Sequence, residues 1–193
     1  MLLAGCGSDE TPSSAKSERT VAALQEGGLT LVVRHAIADA NINRQEFLRS
    51  CAFQRNLTEA GRGQARAIGS AVRALRIPIG EVRASPLCRA RDTARLAFGR
   101  VTLDRDLISP GVIGTEADDK RRAKALRQLA ESPPANGNTV LVTHTGNIGA
   151  AFGEETVQEG ETLLYRPGAN LVGRVRAEEW AELASSAGNA SAG

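Results

Sequence analysis

Two short runs of mostly β-branched, apolar residues each end in a histidine. They are Leu29-Thr30-Leu31-Val32-Val33-Arg34-His35 and Thr139-Val140-Leu141-Val142-Thr143-His144. A continuous apolar run of this length suits a strand covered on both faces. Strands of that kind belong to parallel sheets flanked by helices, where ligands bind at the carboxyl ends of the strands. These two histidines are the only ones in the chain, and each stands at such an end.

The rest of the chain fits the same architecture. A short helical lead is predicted over residues 21–25, and residues 39–56 read as a long loop. Thr58 is placed to cap a helix whose Ala65, Ile68, Val72 and Leu75 recur at helical spacing, and Pro78 stops it. A strand over 81–84 precedes a helix opened by Pro86 and running to about residue 97. Further elements are a strand over 101–103, a loop over 104–118, a helix over 118–130 and a helix or turn over 147–152. A terminal hairpin (162–165 and 171–175) and a short helix over 178–184 follow. Alternation of this kind predicts an α/β domain, a three-layer sandwich with a mostly parallel central sheet and helices on both faces. The organisation expected is residues 1–19 as a flexible tether, 20–184 as one domain and 185–193 as a disordered tail.

Composition narrows the function. The 193 residues carry 24 Lys and Arg against 22 Asp and Glu, a net charge of +2. No bulk basic surface for a polyanion follows from that balance. Aromatic residues make up 3% of the chain, too few for base-stacking platforms. Nucleic acid is therefore not an expected partner, and no run reaches the roughly eighteen apolar residues of a membrane span.

The strand ends gather a specific chemistry. Arg34 and His35 leave one strand, the segment Ser85-Pro86-Leu87-Cys88-Arg89 leaves another at a helix start, and His144 with Asn147 follows a third. Arginine presents paired planar donors that match a phosphoryl group, and helix N-termini add backbone N–H groups. A neutral imidazole among them can attack phosphorus and carry it covalently.

With these residues in view, the chain resembles the histidine phosphatase superfamily, the phosphoglycerate-mutase-like proteins. Four blocks occur in the family's order. The first is Val33-Arg34-His35-Ala36, with Ala36 where the family has glycine. The second is Leu57-Thr58-Glu59-Ala60-Gly61-Arg62-Gly63-Gln64-Ala65-Arg66-Ala67-Ile68-Gly69. The third is Ala84-Ser85-Pro86-Leu87-Cys88-Arg89-Ala90-Arg91-Asp92-Thr93-Ala94, and the fourth is Val140-Leu141-Val142-Thr143-His144. The sequence Thr145-Gly146-Asn147-Ile148 is similar to that of a subgroup of small bacterial members.

The resemblance implies a metal-independent phosphomonoester hydrolase that needs no cofactor. His35 is the implied nucleophile, and Arg34, Arg89 and His144 the implied holders of the phosphoryl oxygens. Glu116 falls in the window where the mutase-type branch places its general acid, with Asp106 and Asp118 as rivals. The acid-phosphatase branch puts an aspartate after its second histidine, where this chain has Thr145. Arg55 is a candidate contact for a second anionic group, and Asn147 for orienting His144 or touching phosphate. The implied substrate is a phosphorylated small molecule or phosphoprotein. A non-catalytic phosphate binder of the same fold is the alternative, and a phosphomutase ranks below it.

At the start, Leu3-Ala4-Gly5-Cys6 resembles the lipobox of bacterial lipoproteins, in which the cysteine is acylated. That resemblance implies an exported protein tethered to a membrane through Cys6; a chance match leaves it cytoplasmic. Cys51 and Cys88 are then either a disulfide or two buried thiols.

Overall fold

A computed structural model describes residues 12–40 and 50–190. The lipobox-like Cys6 and residues 191–193 lie outside these bounds.

Six strands form one sheet in the order β3-β2-β4-β1-β5-β6. The strands are β1 (Thr30–Arg34), β2 (Ile79–Ala84), β3 (Thr102–Leu103), β4 (Asn138–Thr143), β5 (Thr162–Arg166) and β6 (Asn170–Val175). β1 pairs parallel with β4, and β4 with β2, while β5 and β6 run antiparallel as the expected hairpin. Alternation along β1 sends Leu31 and Val33 to one core and Val32 to the other. The first core is closed by helices α1 (Pro12–Glu26), α2 (Glu59–Ala74), α3 (Cys88–Phe98) and α6 (Glu179–Ala190). The second is closed by α4 (Glu116–Glu131) and α5 (Thr145–Phe152). The three-layer α/β sandwich expected from the sequence is thus the fold observed.

Local chemistry sets the boundaries that matter. The Thr58 hydroxyl accepts from the Gly61 N–H at 3.0 Å and starts α2. Thr115 and Asp118 form a reciprocal capping box that starts α4 at Glu116, two residues before the expected position. α3 starts at Cys88, so Pro86 precedes the helix rather than opening it. Residues 12–19, expected as tether, belong to α1. Pro12 is tolerated as the first helical residue, and nothing between it and Gly27 breaks a helix. Likewise α6 continues to Ala190 into the expected tail, because an alanine-rich run favours the helix.

Candidate active site

β1, β4 and β2 point their carboxyl ends to the same edge of the sheet, and Arg34, His35, Arg89 and His144 come together there. His35 leaves β1 with its side chain buried. Its Nδ1 lies 2.8 Å from the Ala36 carbonyl, which can only accept, so Nδ1 carries the proton. The lone pair is therefore on Nε2, where it accepts from the Arg89 Nε at 3.1 Å. Burial, reinforced by the positive charges of Arg89, Arg34 and Arg55, drives the His35 pKa down to about 3. The imidazole is neutral at any physiological pH.

His144 caps α5 from the end of β4, with its ring centroid 5.2 Å from that of His35. Burial also holds its pKa well below the ordinary value. Neither of its ring nitrogens has a hydrogen-bond partner among the described residues. The same holds for the Arg34 Nε and one terminal nitrogen of Arg89. Each unsatisfied buried group costs about 1–3 kcal/mol. An oxyanion among them would recover that cost, since these groups are donors or can become donors.

The shared motifs position this cluster. The Ala36 N–H donates to the Thr93 hydroxyl at 3.0 Å, and that hydroxyl donates to the Arg89 carbonyl at 2.7 Å. The strand end bearing His35 is thereby tied to the helix bearing Arg89. Gln64 accepts from the Ile37 N–H and donates to the Glu159 carbonyl. Arg55 donates from Nε to the Asp39 carbonyl at 2.7 Å. Its charge acts on both histidines and on Arg34 and Arg89, which places it beside the cluster. Cys51 and Cys88 form a disulfide with Cα atoms 5.8 Å apart, joining the segment that carries Arg55 to the helix that carries Arg89.

Three expectations need correction. Glu116 does not join the cluster: its side chain is 83% exposed and its carboxylate pairs with Lys120 at 2.7 Å on the first turn of α4. Its rivals are also committed elsewhere, Asp106 to Arg121 and Asp118 to the Thr115 cap. Asn147 spends its amide nitrogen on the Asp106 carbonyl and the Thr143 hydroxyl. Its remaining oxygen is an acceptor, unsuited to a phosphoryl group. The start of α3 is not an open anion site, because the Gln54 side chain already accepts from the Cys88 N–H at 2.8 Å.

One acidic residue reaches the cluster unannounced. The Glu159 Oε1 lies 3.5 Å from a terminal nitrogen of Arg34 and 3.4 Å from the Ala38 N–H. The other terminal nitrogen of Arg34 donates to the Val157 carbonyl at 2.6 Å. The signal in the sequence was the acid-rich stretch Glu154 to Glu161 leading into the hairpin strand.

Comparison with known proteins agrees with this fold. The family described as histidine phosphatase superfamily (branch 1) matches residues 30–108. The protein histidine phosphatase SixA, solved with tungstate, superimposes with a TM-score of 0.57 at 13% identity, over 78% of this chain and 98% of that one. A phosphoserine phosphatase variant from Entamoeba histolytica, solved with phosphoserine, gives 0.54 at 16% identity, again over 78% and 98%. At these identities the likeness is one of fold. No curated protein matches the chain significantly in sequence.

Proposed function

We propose, from the match of residues 30–108 to the histidine phosphatase superfamily and the shared fold, that the chain is a member that hydrolyses phosphomonoesters through a phosphohistidine on His35. One observation carries the reading. A neutral imidazole with its lone pair fixed on Nε2 sits among unpartnered buried nitrogens of Arg34, Arg89 and His144. On this reading the phosphoryl oxygens take those groups as partners. The Arg89 guanidinium turns from Nε2 to an oxygen, and Nε2 is released to attack phosphorus. Arg55 meets a second anionic group of the substrate, a phosphorylated small molecule or phosphoprotein.

The test is release of phosphate from an activated aryl phosphate in chelator, with acid-quench trapping of ³²P on the protein. His35→Ala should abolish both signals. Equal activity in that variant would sink the mechanism. A phosphate binder without turnover is the second reading, favoured by the hydrogen bond that engages the Nε2 lone pair. Label trapped on His35 excludes it.

The disulfide supports a place in an oxidising compartment, consistent with export and lipid attachment at Cys6. Labelled palmitate should enter the full-length protein and be lost in Cys6→Ser. Equal labelling would refute the attachment.

A further inference from the structure

Departure of an alkoxide is slow unless its oxygen is protonated as the P–O bond breaks. The residues expected to supply that proton are engaged at the surface of the fold. The segment over residues 153–161 brings a different carboxylate to the crevice. The Glu161 carbonyl accepts from the Arg34 N–H at 3.0 Å, and the Gly160 N–H donates to the His35 carbonyl at 3.0 Å. Between these anchors and the Gln64 bond to its own carbonyl, Glu159 is held with its carboxylate against Arg34. The Glu159 side chain is 22% exposed, so it faces both the cluster and solvent. Its charge acts on Arg34 and on Arg89, the two arginines that flank His35. The neighbouring Glu161 is fully used, accepting from the Gln158 N–H at 2.7 Å and pairing with Arg174.

We propose that Glu159 is the general acid of this site, an inference that rests on the phosphatase reading above. A phosphoryl dianion bound at Arg34 competes for the guanidinium and sets like charge beside the carboxylate. In the first step the His35 Nε2 lone pair forms the N–P bond and the P–O bond to the leaving group breaks. The leaving oxygen keeps that electron pair and takes the proton from Glu159. In the second step the Glu159 carboxylate removes a proton from water as the water oxygen bonds to phosphorus. The N–P bond then breaks, its electron pair returns to Nε2, and inorganic phosphate leaves.

The experiment is kcat/KM for the full chain on aryl phosphates of graded leaving-group pKa and one alkyl phosphate. It compares wild type with Glu159→Gln, Glu159→Asp and Glu116→Gln. A proton donor matters most where the leaving group is poorest. Glu159→Gln should lose on the order of 100- to 10,000-fold on the alkyl phosphate and under about tenfold on the most activated aryl phosphate. Glu159→Asp should restore part of the alkyl activity, and Glu116→Gln should match wild type throughout. A uniform loss across the series would make Glu159 only a positioning partner of Arg34 and overturn the proposal. So would a leaving-group-dependent loss in Glu116→Gln instead. Wild type inactive on every ester would remove the phosphatase reading itself, a result distinct from either.

Discussion

The Arg89 Nε donates to the His35 Nε2 at 3.1 Å, so one guanidinium engages the very lone pair that the proposed mechanism needs for attack on phosphorus. Arg89→Ala should therefore have two effects. The kcat should fall by on the order of 100- to 1,000-fold, as for removal of a transition-state donor. The His35 pKa should rise, because the Arg89 charge helps to hold it down. An imidazole titration followed by NMR reads the second effect independently of turnover.

The same titration has a clear expectation in the unaltered protein. With two histidines in the chain, an untagged sample gives two imidazole signals. His35 should not titrate between about pH 8 and 5, since its pKa is held down to about 3, and His144, also buried, should titrate below its ordinary range.

Stability should follow from that shift with a definite sign. Well above pH 6.5 His35 is neutral folded or unfolded and has no pH-dependent effect. Between 6.5 and about 3 the unfolded chain binds a proton there that the folded chain does not. Stability must then fall as the solution is acidified through that window. Denaturant melts at pH 7 and pH 4 should show a smaller drop for His35→Gln than for wild type.

Three glycines of α2 look alike in sequence and should behave differently. A Cβ on Gly61 would sit 1.9 Å from the Ile37 carbonyl oxygen, and one on Gly69 would sit 2.2 Å from that of Ala97. Nothing lies within 4 Å of the same position on Gly63. Gly61→Ala and Gly69→Ala should each destabilise by about 1–3 kcal/mol or more. Gly63→Ala should stabilise by up to about 1 kcal/mol through helix propensity. Thermal melts of the three variants decide this.

Reduction of the Cys51–Cys88 bridge should also register. The bond closes a loop with a sequence separation of 37 residues, for which chain entropy gives about 4 kcal/mol. The Cys51→Ser, Cys88→Ser double variant should melt lower than the oxidised protein and become insensitive to reductant. Because the bridge joins the Arg55 segment to α3, KM should rise as well.

Much of this site was legible because its members sit where local pattern and topology coincide. Buried apolar runs marked β1 and β4, so His35 and His144 were placed by the strand ends that carry them. Thr58, an N-cap, and Pro78, a breaker, bounded α2 in the same local way. Glu159 had no such marker. Its segment lacks periodicity, and its position depends on the pairing of Val33 with Thr162 in the antiparallel β1–β5 ladder. The resemblance to the mutase-type branch suggested Glu116 by its distance after Arg89, but spacing along a sequence does not decide whether a helix start turns toward a crevice or toward solvent. Nor does the separation of Cys51 and Cys88 encode how closely their Cα atoms approach.

The reversal of direction between β1 and β5 has a practical consequence. It delivers residues 153–161 to the crevice as a self-contained cassette, anchored through backbone bonds to Arg34 and His35. Its side chains are recodable without touching the β1–β4 register. A library confined to this stretch, sparing the buried Val157 and Glu161, Gly160, where a Cβ would meet Gln64 at 2.6 Å, and the proposed acid Glu159, should therefore redirect substrate selectivity at nearly constant core stability.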